Sequence, residues 1–276
     1  MGTSQSSSGS PSNTPLVPPW VPDIPLPDGD ANDESVNQQS SQEPIGSPQT
    51  LLAPVGRFGP SRTHLGRFAV SGSAGDMRRG LGQYVKKGLG GARTATRRMG
   101  GTSRTAGTLY RALSDIAGGR TIEESPVEFA LLRGRSASEV IDAVVEVVQP
   151  IDGTLDAESR RKSVRDALSE VLSRFPEADL FNLSEEQRIH VIQTYVALDV
   201  YGRFHLDVGK AVQNKAPSLR IALSRLKEVK DYIKQEVSAA FRRLHRDGEN
   251  PSADRIAGMV RQALQNTFQV FEDYIS

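Results

Sequence analysis

Apolar positions recur at intervals of three and four along the second half of the chain, and this spacing predicts helices. Val140, Ile141, Val144, Val145 and Val148 form the first stripe. Their β-branching leaves a strand open, but Glu139, Asp142 and Glu146 at the intervening positions favour a helix. Val164, Leu168, Val171, Leu172 and Phe175 repeat the pattern until Pro176 stops it. Ser184 followed by Glu185, Glu186 and Gln187 reads as a capping box, with Ile189, Ile192, Val196 and Val200 turned inward behind it. Pro217 suits a first helical turn, and Leu219, Leu223, Leu226, Ile233, Val237 and Leu244 then mark the longest helix. Asn250-Pro251-Ser252 breaks the chain before Ile256, Val260, Leu264, Phe268, Phe271 and Ile275 line the last one.

Toward the N-terminus the periodicity fades. Residues 56–107 hold 13 of the 25 glycines, and each interior glycine weakens an isolated helix by about 1 kcal/mol. Only weak helices are expected there, near Asp76–Lys87 and Thr102–Ala117, joined by Gly90-Gly91 and Gly100-Gly101. Earlier still, eleven of the 16 prolines precede Ser61 in a Ser/Gln/Asn-rich stretch that lacks the apolar surface needed to offset the entropy of ordering. The expected organisation is a disordered N-terminal arm over 1–55, a basic Gly/Arg-rich connector over 56–107 and an α-helical domain over 108–276. In fold class this is all-α: a C-terminal helical bundle preceded by a disordered Pro/Ser-rich tail and a weakly helical Gly/Arg-rich segment.

Charge sharpens the division. Residues 1–55 carry six acids and no Lys or Arg, whereas residues 56–111 carry twelve bases against the single acid Asp76. The remainder holds 22 bases and 26 acids, so a net charge of +1 conceals a strong asymmetry that points to partners. With no cysteine, disulfides, thiolate metal sites and cysteine nucleophiles are excluded. There is neither a run of about 20 apolar residues nor a signal-peptide pattern, and the expectation is a soluble cytoplasmic protein with no membrane partner.

The arm contains LVPPWVPDIPLP around the lone tryptophan, Trp20, and proline-rich chain of this kind leaves backbone and side chains open to a partner. As a coil its 55 residues would span about 40 Å. Leu16, Val17, Pro18, Pro19 and Trp20 are the candidate contacts, with packing of Trp20 on the protein's own helices as the alternative. Removal of Met1 would expose the α-amine of Gly2, a group far less basic than lysine and therefore more often neutral at pH 7. Met1-Gly2 with Ser6 also fits an N-myristoylation pattern, though no basic patch adjoins it.

In the middle segment Arg78, Arg79, Lys86, Lys87, Arg93, Arg97, Arg98 and Arg104 are candidate phosphate or partner contacts, with Phe58, Phe68 and Tyr84 available to stack on bases. An acidic protein surface and the protein's own acidic helices are equally good destinations for this charge. Neither GxxxxGK[ST] nor GxGxxG in a strand-to-helix context occurs, and His64, His190, His205 and His245 lack catalytic or metal-binding spacing. No cofactor, metal or enzymatic constellation is expected.

The MGTS start, the LVPPWVP motif, the block RGLGQYVKKGLGGARTATRRMGGTSRTAGTLYRALS and the helical C-terminal region together resemble the QatB family of bacterial Qat anti-phage defence systems. The resemblance implies a non-enzymatic component and three partners: an ATPase, a protein similar to the deazaguanine-forming QueC enzymes, and a TatD-like nuclease. QueC-like enzymes activate a carboxylate for amide formation. The resemblance therefore also implies that Gly2 is an acceptor for such a partner, with Thr3 and Ser4 read by its pocket. The alternative is an adaptor that presents foreign DNA or RNA to the nuclease through the basic segment.

Overall fold

The computed structural model describes residues 15–17, 52–120, 128–244 and 251–275. Gly2, Thr3, Ser4, Pro18, Pro19, Trp20 and His245, and most of the expected arm, lie outside the described residues. Among those described, the fold is helical throughout, with one isolated antiparallel bridge between Pro15 and Leu52 and no strand.

The C-terminal helices follow their caps. Ser136 and Glu139 close a capping box at the start of α5 (Ala137–Val148), and Thr154 caps α6 (Leu155–Arg174) through the Ala157 amide. Ser184 and Gln187 form the second capping box, at α7 (Glu185–Phe204). After α8 (Lys210–Lys215), Pro217 lies just ahead of α9 (Leu219–Leu244), whose first turn Ser218 caps by accepting from the Ile221 amide at 3.3 Å. Ser252 starts α10 (Ala253–Asp273). The predicted inward stripes are buried, except that Leu172, Phe175, Leu244 and Ile275 are half-buried and Leu219 and Leu223 at the start of α9 are 72% and 58% exposed.

The glycine-rich half is more ordered than its composition suggests. It contains α1 (Gly59–Ser71), α2 (Ala74–Gln83), a π-helical turn at Tyr84–Leu89, α3 (Ala92–Arg98) and α4 (Gly100–Ala117). Of these, α1 and α3 have no counterpart among the predicted elements. Their support is tertiary: Glu272 on α10 accepts from the Ala92 amide at 2.7 Å and so caps α3 from across the fold. α4 lies along α10 so closely that a Cβ on Gly107 would stand 2.9 Å from the Ala253 carbonyl oxygen. A Cβ on Gly82 would be 2.8 Å from the Phe271 carbonyl. Glycine here lets two helices approach, which is the use of a missing side chain that composition alone does not reveal.

One apolar core joins both halves, running from Phe58, Leu65 and Phe68 through Leu109 and Leu113 to Phe204, Phe241 and Phe271. The division expected between residues 107 and 108 falls inside α4.

Candidate functional site

Seven of the eight basic candidates, Arg78, Arg79, Lys86, Lys87, Arg93, Arg97 and Arg104, are exposed, and Arg111 joins them. No acid interrupts the chain between Asp76 and Asp115. Lys86, Lys87, Arg93, Arg104 and Arg111 make no ion pair among the described residues. Arg78 sits against the rings of Tyr232 and Tyr274, 5.9 and 5.8 Å from their centroids. The aromatic residues expected to stack on bases do not share this surface. Phe58, Phe68 and Tyr84 are 2%, 1% and 2% exposed, because the apolar rings pack into the core instead.

Arg98, the eighth candidate, turns inward. Its Nη1 donates to the Leu16 carbonyl at 2.7 Å, and the Leu16 side chain is buried against Gly90. Leu16, expected to meet a partner, thus packs on its own chain, with Val17 half-buried beside it. A left-handed backbone at Gly90 (φ 85°) provides the space, since a Cβ there would stand 2.8 Å from Leu16 Cδ1.

Beneath this contact lies a buried polar cluster that joins two π-helical turns, Tyr84–Leu89 and His205–Gly209. Such turns interrupt the regular i→i−4 ladder and occur often at functional sites. Tyr84 donates its hydroxyl to Asp207 Oδ2 at 3.0 Å, and Arg203 pairs with Asp207 at 3.5 Å and with Asp156. Arg62 donates to the Asp207 carbonyl at 3.1 Å. Burial and the Asp207 charge push the Tyr84 hydroxyl well above its ordinary pKa. Burial by itself would lower Arg203, but the two aspartates outweigh it and hold the guanidinium more firmly protonated. Burial, and then the neighbouring Arg203, lower Arg98.

Arg57 completes the cluster at 6% exposure. None of its three guanidinium nitrogens has a hydrogen-bond partner among the described residues. Next to Arg98 and Arg203, a cavity of about 30 Å³ is bordered by Thr102, Asp156, Ser159, Arg160 and Asp199. Asp199 is buried and accepts from Thr102 Oγ1 at 2.6 Å; desolvation raises its pKa to about 6. A larger groove of about 430 Å³ adjoins this cavity between α6 and α7, lined by Leu155, Leu198, Tyr201, His205 and Leu206.

No group of three or more histidines and carboxylates positioned to hold a metal occurs among the described residues, and none of their helices is long and apolar enough to cross a membrane. Sequence reading missed Arg57, Arg203, Asp199 and Asp207, all of which look ordinary in isolation. The signal was indirect: Tyr84, Arg57 and Arg98 are polar residues in a segment that nonetheless had to be packed.

No curated protein and no solved structure matches the chain. The family model described as Qat anti-phage system associated protein QatB matches residues 90–271, from the glycine that admits Leu16 to Phe271 of the core; Arg98, Arg203 and Asp207 lie within the match, and Arg57 and Tyr84 precede it. With well over half of its length so matched, the chain belongs to the QatB family of the Qat anti-phage system.

Proposed function

We propose that this component of the anti-phage system is a non-enzymatic, cytoplasmic adaptor whose N-terminal segment is bound by a QueC-like partner and modified at Gly2. Anchoring of Pro15–Val17 on the helical body is the observation that carries the reading. Leu16 and its bond to Arg98 pin the arm at one point on the helical body, and the fourteen residues before Pro15 can reach about 45 Å when extended. Recognition then falls on Thr3 and Ser4 upstream and on Pro18, Pro19 and Trp20 downstream, with Leu16 serving as the anchor between them. Intact mass of the protein co-produced with the other Qat proteins tests this. A mass increment that maps to the Gly2 peptide is expected, and an unmodified N-terminus in cells that resist phage would overturn it.

The exposed basic face of α2, α3 and α4 favours a second reading, in which the adaptor holds nucleic acid for the nuclease. Binding would then weaken steeply with salt. Replacing Lys87, Arg93 and Arg104 by alanine is expected to reduce the slope of log K against log salt by about 2 to 3, as three lost phosphate contacts require. An unchanged slope would direct the charge to an acidic protein surface.

A further inference from the structure

The buried cluster holds more positive charge than it neutralises. Arg203 is matched by Asp156 and Asp207. Asp207 is further engaged by the Tyr84 hydroxyl, while Arg62 uses only its backbone carbonyl. Arg57 and Arg98 have no ion pair among the described residues. Asp207 attracts both through space, and each repels the other. Among the described residues Arg57 has Nε, Nη1 and Nη2 all without an acceptor, and Arg98 has Nε likewise. Among the described residues the carbonyl of Leu16 is the acceptor supplied, and it takes Arg98 Nη1. The face of Phe58, 4.8 Å from the Arg57 guanidinium carbon, offers a weak quadrupolar contact only.

A guanidinium stays protonated under physiological conditions, so burial cannot be relieved by loss of the proton. An isolated buried cation without hydrogen bonds is strongly disfavoured, and such a charge is ordinarily paired with an anion. Asp207 and Arg203 act on both guanidiniums and Arg57 acts on Arg98, so the two charges share one neighbourhood, and the planar fork of a guanidinium fits the oxygens of a phosphate. A carboxylate would neutralise one of the two charges, whereas a phosphate monoester carries about −1.5 to −2 at pH 7 and neutralises both. Leu16 is held beside Arg98 by their hydrogen bond, by its seat against Gly90 and by the single bridge between Pro15 and Leu52.

We propose that Arg57 and Arg98 form a binding site for a phosphate monoester beneath the Pro15–Val17 segment. The site is distinct from the exposed basic residues, which present their charges to solvent; this one draws on two guanidiniums turned into the protein. Occupation would also tie the base of the N-terminal arm to the presence of the ligand, because Arg98 holds both.

Thermal unfolding of the full chain in rising inorganic phosphate, with sodium chloride and sodium acetate at matched ionic strength, reads the site. Wild-type protein is expected to gain several degrees in phosphate beyond either control, with saturation, as a ligand selective for the native state requires. Arg57→Met is expected to lose that gain while folding at least as well without phosphate, since it removes an unpaired buried cation. Arg104→Met, on the exposed face, is expected to keep it. An equal rise in wild type and Arg57→Met would show only the general stabilisation by phosphate salts and would overturn the site. A saturating rise in acetate as large as that in phosphate would overturn the phosphate assignment in favour of a carboxylate. Should Arg57→Met fail to fold, Arg98→Lys, which keeps the charge but not the planar fork, is expected to show the same loss of the phosphate increment; retention of the increment would overturn the proposal.

Discussion

Gly107→Val is expected to destabilise the protein by about 2 kcal/mol or more, whereas Gly258→Ala is expected to stabilise it by about 0.5 to 1 kcal/mol. Both glycines are helical, on α4 and α10 respectively. At Gly107 a new Cβ would meet the Ala253 carbonyl oxygen at 2.9 Å and the Ala257 Cβ at 3.4 Å, and the valine methyls add bulk against backbone that cannot swing aside. At Gly258 a Cβ meets nothing within 4 Å, leaving only the gain in helix propensity. Urea midpoints at unchanged m-value measure both. The opposite signs separate two roles for the same residue type. A neutral Gly107→Val would mean that α4 does not rest closely on α10, and the basic segment would then be a loosely attached connector.

Asp199→Asn is expected to raise stability by about 3 kcal/mol at pH 8 and to change it little near pH 4. Desolvation raises the folded-state pKa of Asp199 to about 6 from its ordinary value of 3.8. A raised acid binds its proton more tightly when folded, so its stabilising contribution is complete below the unfolded pKa and is lost as pH rises through the folded one. Wild-type protein therefore weakens between about pH 4 and pH 6 through this residue, and the asparagine removes that loss. The amide oxygen can still accept from Thr102, whose hydroxyl now lies 2.6 Å from Asp199 Oδ2. Denaturant midpoints for both proteins across pH 4 to 8 give the test. A variant weaker than wild type at pH 8 would show that Arg160 and Arg203 hold the ionised carboxylate strongly enough to outweigh its burial. Either result bears on the adjoining cavity, because Asp199 decides how much negative charge faces Arg160 and Arg203.

The tail of the chain and its middle differ in how they encode structure. Ser184 with Gln187 and Ser136 with Glu139 act within one turn, and Ile256, Val260, Leu264 and Phe268 mark a buried face by spacing alone. Such signals are local, and the C-terminal helices could be read from them. The middle segment has comparatively few long apolar side chains and many glycines, so its propensity argues against the helices that α1 and α3 form. Those helices depend on contacts made across the fold, among them the Glu272 carboxylate capping α3 and the packing of α1 against α8.

The same contrast holds for the candidate sites. Charge density between Asp76 and Asp115 announced a basic surface, and seven of its eight named residues do face outward. Nothing in the neighbourhood of Arg98 distinguished it from Arg97, yet a rotation of about 100° per residue along α3 sends one outward and the other to Leu16 and the buried cluster. Helical class, charge asymmetry and family character are properties of residues and their near neighbours, and were therefore readable in one dimension. Which arginines are buried, where Leu16 anchors, and why Asp199 is reluctant to ionise depend on residues 80 to 150 positions apart meeting in a dry interior, and that meeting exists only once the chain is folded.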